Sequence, residues 1–157
     1  MDSGSKDMYL KAVFEIEEQK HSARVTDIAS VLSVSPASVT EMLSKLVKEG
    51  LVKHRPYYGV YLTKKGKARA TRIIRKNRLL EKFLCDILKM PKSAKDACNM
   101  EHALSDEADQ RLCILMGGPC KTPSGKPIPH CSKPTSCARC LRQNARMLAS
   151  PNSYVNR

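Results

Sequence analysis

The sequence predicts a mostly α-helical fold, and three observations predict it. Apolar residues recur at i, i+3 and i+4 in several segments, the spacing of a buried helical stripe. A single stretch, after Gly50, alternates apolar with polar residues in the period of a strand. The chain has no Trp and only 4% aromatic residues, so its core must be built from Leu, Val, Ile, Ala and Met, as helical proteins often manage. A length of 157 residues suits one ordinary domain or two small ones that share helices.

In "SKDMYLKAVFEIEEQK" (5–20), Tyr9, Val13 and Ile16 with Leu10 and Phe14 form one apolar stripe, and Met8 sits beside it with Lys11 and Glu15. Next comes "VTDIASVLSVSPASVTEMLSKLVKEGLV". Thr26 or Ser22 can begin a short helix through Leu32, "SVS" breaks it, and Pro36 suits the first turn of a helix running to Glu49, stopped by Gly50. Two short helices joined by a tight turn describe a helix-turn-helix. Ala29 is small where the helices should cross, Val34 is an apolar plug for the turn, and Val39, Leu43, Leu46 and Val47 are expected to face the core. The outward face is then Ser35, Ala37, Ser38, Thr40, Glu41 and Ser44, where small hydroxyl residues can approach phosphates or base edges without a steric penalty. An ordinary helical hairpin shares the apolar pattern; the combination favours DNA binding.

"LVKHRPYYGVYLTKKGKA" then alternates around "PYYG", which reads as a two-stranded hairpin and makes the unit a winged helix. Lys53, His54, Arg55, Tyr57 and Tyr58 would lie on the wing, ready for backbone phosphates or the minor groove. Thr63 opens a long basic helix closed by Pro91. Ile73, Ile74, Leu79, Leu80, Phe83, Leu84, Ile87 and Leu88 make its later half apolar over a wide arc, a surface that calls for a partner helix or a second subunit.

The net charge of +13 is unevenly placed: residues 51–80 hold 10 basic and no acidic side chains and 121–157 hold 7 and none, while 1–50 and 81–120 are slightly acidic. Blocks without any acid are the footprint of a polyanion-binding surface, although a solvated face would look the same. The longest apolar stretches, such as "CILM" at 113–116, are too short to span a membrane, and "MDSGSKD" lacks a signal peptide's apolar region. A cytoplasmic location is expected, where disulfides are disfavoured and the 7 cysteines are packing residues or metal ligands.

The segment "CNMEHALSDE" (98–107) places Cys98, Glu101 and His102 at i, i+3 and i+4, on one face of a helix. A thiolate, a carboxylate and an imidazole could reach one point there, and a metal ion would need a further ligand from elsewhere. Singly, each residue has a plainer role: Cys98 as a small buried hydrophobe, Met8 as a gap-filler, Glu101 with His102 as a surface pair.

Taken in order, "DMYLKAVFEIEEQ", "RVTDIASVLSVSPASVTEMLSKLVKEGLV", "YGVYLTKKGKA", "RKNRLLEKFL", "ACNMEHALSDE" and "PSGKPIP" resemble the diphtheria-toxin-repressor family of metal-dependent transcriptional repressors over roughly residues 5 to 130. The resemblance implies that Met8, Cys98, Glu101 and His102 bind the activating ion, with Met8 the missing ligand. This mixed soft and hard donor set favours Fe(II) and its later neighbours over Mn(II) or Mg(II), and members resembling manganese sensors carry carboxylates on the first helix where this chain has Met8 and Lys11. Mn(II), Co(II), Ni(II) or Zn(II) are the alternatives. The family's ancillary site uses a histidine on the long helix and another before the C-x-x-E-H segment; this chain has Asn77 and Ala94 there and keeps only Glu81. The sequence is also too short for the SH3-like third domain of longer members.

It carries instead "CKTPSGKPIPHCSKPTSCARC", with Cys120, Cys131, Cys137 and Cys140 beside His130. A C-x-x-C near two further cysteines in a reducing compartment signals zinc or an iron–sulfur cluster, against thiols on a flexible tail. Cys85 and Cys113 sit in apolar runs and read as packing residues, and "CARCLRQNARML" as a short basic helix. The expected organisation is a winged helix-turn-helix DNA-binding domain at 1–63, an all-helical dimerisation and metal-binding domain at 64–118 and a Cys-rich C-terminal segment at 119–157. The function expected is a homodimeric, Fe(II)-activated repressor of metal-uptake genes on a palindromic operator in double-stranded DNA. The competing reading is a redox or iron–sulfur-sensing regulator controlled by the C-terminal cysteines. No acid/base or nucleophile constellation points to an enzyme.

Overall fold

A computed structural model of the protein describes residues 3–20, 22–55 and 57–129. Its elements are α1 (Ser3–Lys20), α2 (Val25–Leu32), α3 (Pro36–Lys48), β1 (Val52–Arg55), β2 (Gly59–Leu62), α4 (Lys64–Asp86), α5 (Ala94–Glu101) and α6 (Asp106–Leu115). The chain divides into two compact units, Met1–Ile73 and Ile74–Arg157, with α4 contributing to both.

In the first unit, α1, α2, α3 and the β1–β2 hairpin close around one core in which Leu10, Val13, Ile28, Val39, Leu43, Leu46 and Leu51 are fully buried. Each side chain of this size stabilises the fold by about 1.5–3 kcal/mol through its removal from water. The hairpin register pairs Val52 with Leu62 and His54 with Val60. Val60 also exchanges both backbone hydrogen bonds with Ala23, so β2 is flanked on its other edge by the α1–α2 connection. Farther along β2, the Leu62 N–H donates to the Glu17 carboxylate of α1 (2.8 Å). Gly59, at φ +104°, has no alternative in this position: a Cβ there would meet the Ala23 carbonyl oxygen at 2.8 Å.

The helix-turn-helix departs from expectation in detail. Helix α2 starts at Val25, with Arg24 as its N-cap rather than Ser22 or Thr26, because the Asp27 carboxylate accepts from the Arg24 backbone N–H (3.2 Å) and from Lys20 (3.2 Å). Ser33 takes the left-handed conformation (φ 54°) to turn the chain. Val34 is 38% exposed and Val47 43% exposed, so neither belongs to the core. Met42 is buried in place of Val47, which the wheel reverses because α3 presents the 39, 42, 43, 46 stripe inward.

Thr63 opens α4 as expected. Its hydroxyl donates to the Gly50 carbonyl (2.7 Å) and accepts from the Gly66 N–H (3.1 Å). In the second unit α4 ends at Asp86, well before Pro91: Lys89 is left-handed (φ 58°) and the Met90 N–H closes on the Leu84 carbonyl (3.0 Å). Ile87 and Leu88 therefore lie beyond the helix, exposed. Leu80, Leu84 and Ala97 form one cluster with Phe83, Met90, Leu104 and Leu112 around them, and Leu79 packs on the buried Cys113. Cys85 is only half-buried. Residues 98–107 are not one helix: α5 stops at Glu101 and Ser105 caps α6, accepting from the Ala108 N–H (3.1 Å). Among the described residues, no helix is long and apolar enough to cross a membrane.

Candidate nucleic-acid interface and metal centre

Ser35 N-caps α3, its hydroxyl accepting from the Ser38 N–H (3.1 Å) and lying 2.9 Å from the Ser38 hydroxyl. Pro36 fills the first helical position, whose N–H would lack an intrahelical partner in any residue. Thr40 donates to the Pro36 carbonyl (2.9 Å) and Ser44 to the Thr40 carbonyl (3.0 Å). The face read from the sequence, Ser35, Ala37, Ser38, Thr40, Glu41 and Ser44, is exposed throughout. Its hydroxyls are thus oriented by the helix itself while keeping acceptor capacity toward solvent. Glu41 accepts from Lys45 (2.6 Å), and that bond holds its carboxyl below the usual range. The capping role of Ser35 was missed in the sequence, although a Ser directly before Pro is a recognisable signal.

On the wing, Lys53, His54 and Arg55 of β1 are each exposed, and Tyr57 and Tyr58 are exposed at the turn. Tyr57 has φ +67°, a conformation uncommon for a residue with a Cβ and held here by the Tyr58 N–H bond to the Arg55 carbonyl (3.1 Å). The hairpin therefore exposes both aromatic and basic side chains.

The acid-free block 51–80 is not all surface. Lys64, Lys65, Lys67 and Arg72 are exposed on the first turns of α4, and Arg69 binds Asp7 (2.7 Å). Arg75 and Arg78 are instead buried in the second unit, at 4% and 1% exposure. Arg75 donates to Asp109 (2.7 Å) and to the Pro129 carbonyl (2.8 Å), and Arg78 to the Pro127 carbonyl (2.7 Å). Burial works against the Arg75 charge, but the neighbouring Cys113 and Asp109 side chains outweigh it and hold the guanidinium protonated more firmly than usual. The signal was available: Arg75, Arg78 and Leu79 share one helix face.

Of the four residues expected to hold a regulatory ion, Met8 belongs to the first unit, on α1 and 44% exposed, and Cys98, Glu101 and His102 to the second. Cys98 lies one turn before Glu101, and His102 is the C-cap of α5 with helical φ and ψ, which preserves the i+4 spacing. Cys98 Sγ approaches the Glu101 carboxylate oxygen at 3.9 Å and His102 Nε2 approaches the same oxygen at 3.5 Å. Glu101 is 2% exposed, its carboxyl facing the Cys98 and His102 side chains. These are contacts between side chains; among the described residues no group of three or more His, Cys, Asp or Glu is already arranged as a coordination sphere. The donor set nonetheless fits a later first-row divalent ion: soft sulfur, borderline nitrogen and a charged oxygen on one helical turn. Cys120 is exposed; His130, Cys131, Cys137, Cys140 and the basic helix expected over "CARCLRQNARML" lie outside the described residues.

Residues 2–60 match the model of the N-terminal DNA-binding domain of iron-dependent repressors, and residues 63–130 the model of their metal-binding and dimerisation domain. An HTH-type transcriptional regulator of Methanocaldococcus jannaschii is 37% identical over 117 residues, covering 73% of this chain and 94% of that protein. The iron-dependent repressor IdeR of Mycobacterium tuberculosis is 32% identical over 125 residues, 78% of this chain and 54% of that one. The structure of the manganese regulator SloR superposes with a TM-score of 0.73 at 35% identity, covering 82% of this chain and 60% of that chain. The chain thus spans about half the length of the mycobacterial repressor.

Proposed function

The chain belongs to the iron-dependent repressor family of metal-dependent, DNA-binding transcriptional regulators, which are not enzymes, and on that premise we propose that it is an Fe(II)-activated repressor of metal-uptake genes. It would act in the cytoplasm as a homodimer, two winged helices docking on a palindromic operator about one helical turn apart. Met8, Cys98, Glu101 and His102 are the proposed ligands. The observation that carries this is the approach of Cys98 and His102 to one oxygen of the buried Glu101. Sulfur, nitrogen and carboxylate oxygen donors on one helical turn are a set that suits a later first-row divalent ion.

A bound ion would supply a link between α1 and α5, biasing a pre-existing equilibrium toward the arrangement that matches operator spacing, so that DNA would in turn tighten metal binding. The protein's own residues do the rest. Ser35, Ala37, Ser38 and Thr40 present the α3 N-terminus to the duplex, Glu41 accepts from a cytosine amino group, and Arg55 and Tyr57 hold the wing on the backbone or minor groove. In the second unit Leu88 and Leu115 are exposed large apolar side chains of the kind a dimer interface covers. Fe(II) is preferred to Mn(II) by the two sulfur donors, although relatives include both an iron-dependent repressor and a manganese regulator. Nothing in the comparisons supports the reading in which the C-terminal cysteines control DNA binding.

Anoxic titration with Co(II) tests the ligand set. A thiolate-to-cobalt charge-transfer band should grow to one equivalent, vanish in Cys98→Ser, and weaken in affinity by at least tenfold in Met8→Ala. An unchanged band in Cys98→Ser would remove this site from the account.

A further inference from the structure

Within the first unit an open cleft of about 280 Å³ lies between α4 and the corner that joins α3 to β1. Glu49 and Leu51 line it from the corner, and Lys65, Ala68, Arg69 and Arg72 from α4. The four α4 residues stand at i, i+3, i+4 and i+7, so they share one helix face. Gly66 lets this part of α4 press on the Leu51 backbone, and Ala68 is the small side chain in the row, which leaves the space beside it open.

The charges around the cleft do not cancel. Arg69 places Nε and Nη2 each 2.7 Å from one Asp7 carboxylate oxygen, and Lys6 pairs with Glu49, so both carboxylates already have a cation. The Lys6 bond holds the Glu49 carboxyl below its usual range, and Arg69 and Lys65 act on it in the same direction. Lys65 and Arg72 are the excess. Lys65 Nζ donates to the Glu49 carbonyl (3.3 Å), a neutral acceptor, and Arg72 has no hydrogen bond or ion pair among the described residues. A merely solvated basic face needs no cavity; here an ammonium and two guanidiniums border one concave space, the arrangement that binds an oxyanion through charge-assisted hydrogen bonds.

We propose that this cleft seats the phosphate group of a phosphate ester, with Arg72 and Lys65 binding its oxygens and Arg69, fixed by Asp7, completing the positive wall. A water molecule occupies ~30 Å³, so a bare phosphate ion would leave most of the cleft unfilled, whereas an attached sugar would use it. The sugar-phosphate backbone of DNA and a free phosphorylated sugar share this chemistry. The cleft lies at the Glu49 end of α3, and a helix of 13 residues puts it about 20 Å from Ser35. A backbone phosphate held there would anchor α3 at the end opposite its capped N-terminus and fix its tilt in the groove, a contact that positions the protein without reading sequence. For the DNA source this rests on the winged helix as the DNA-binding unit and not on the proposed metal ligands.

The test uses the full chain without metal and a duplex of random sequence at low salt, so that failure of the metal site and failure of the cleft stay distinguishable. Arg72→Gln should reduce the slope of log K against log salt by about 1, as loss of one phosphate contact requires. Ala68→Leu is the sharper variant: it keeps every charge, exchanges one good helix former for another at an exposed position, and fills the cleft. It should weaken DNA binding at least threefold with Tm unchanged. In parallel, isothermal titration of the same chain with ribose 5-phosphate reads the free ligand, and Lys67→Gln removes an equal charge from α4 outside the cleft. Loss of DNA affinity in Ala68→Leu without saturable ribose 5-phosphate binding assigns the seat to the DNA backbone. Saturable binding that Arg72→Gln and Ala68→Leu abolish and Lys67→Gln retains assigns it to a free phosphate ester. DNA and ribose 5-phosphate affinities that are both indifferent to Ala68→Leu overturn the proposal and leave the row as a solvated face.

Discussion

Gly66→Ala puts the packing of α4 against the winged helix to a test in which the sign of the effect decides. In an open helix this change removes a flexible residue and stabilises by about 1 kcal/mol. Here a Cβ on Gly66 would stand 1.8 Å from the Leu51 carbonyl oxygen and 2.8 Å from its carbon, both backbone atoms. That is roughly 1.5 Å inside van der Waals contact, so α4 must shift. The same carbonyl accepts from the Thr63 N–H (3.0 Å) and hydroxyl (3.1 Å), and that hydroxyl in turn caps the Gly66 N–H (3.1 Å). Overpacking costs about 1–3 kcal/mol and loss of the cap about 1 kcal/mol more, against the gain of about 1 kcal/mol in propensity. The net is destabilisation by about 2 kcal/mol, or a fall in Tm of roughly 4–8 °C for a chain of this size. Thermal unfolding followed by far-ultraviolet circular dichroism reads it. A rise in Tm would refute the close approach of α4 to Leu51.

Other expectations test the reading face and the buried charges. Arg55→Ala should weaken binding similarly across operator and random DNA and reduce the slope of log K against log salt by about 1, as loss of one phosphate contact requires; an unchanged slope takes Arg55 off the backbone. Arg75→Met strands Asp109 in the interior (side-chain exposure 7%) and should cost about 3–5 kcal/mol in urea unfolding, whereas Arg75→Met with Asp109→Leu should recover part of the loss. Asp27 has its carboxyl held below the ordinary value of 3.8, first by the Arg24 backbone N–H and then by Lys20. With a depressed folded pKa, its contribution is present above 3.8 and disappears as pH falls through the lower folded value. Asp27→Asn should therefore lower the urea midpoint at pH 7 and leave it nearly unchanged at pH 2.

Much of the first unit was legible because its signals are local. The stripe of α1, the Pro36 start, the Gly50 stop and the alternation around Tyr57 and Tyr58 each follow from residues within one turn or one hairpin. Val34 and Val47 were misread because an apolar side chain near a helix-turn-helix looks buried whichever way it points, and only packing decides. The end of α4 at Asp86 was hidden by continued apolar periodicity through Ile87 and Leu88, since Lys89 carries no compositional mark of its left-handed turn. Arg75 and Arg78 were counted as surface charge because their partners, Asp109 and the carbonyls of Pro127 and Pro129, are 34 to 54 residues away along the chain. The Cys98, Glu101 and His102 grouping was readable from helical spacing alone, as all three stand within one turn.

Fluorescence anisotropy on an operator fragment from upstream of iron-uptake genes, under anoxic conditions with and without Fe(II), tests most directly whether these residues control DNA binding. Fe(II) should tighten binding of the unsubstituted chain at least tenfold and have no effect on His102→Ala, with both proteins equally weak when metal is withheld. Equal affinity of the two proteins for DNA in the presence of Fe(II) would contradict the assignment of Met8, Cys98, Glu101 and His102 as the switch.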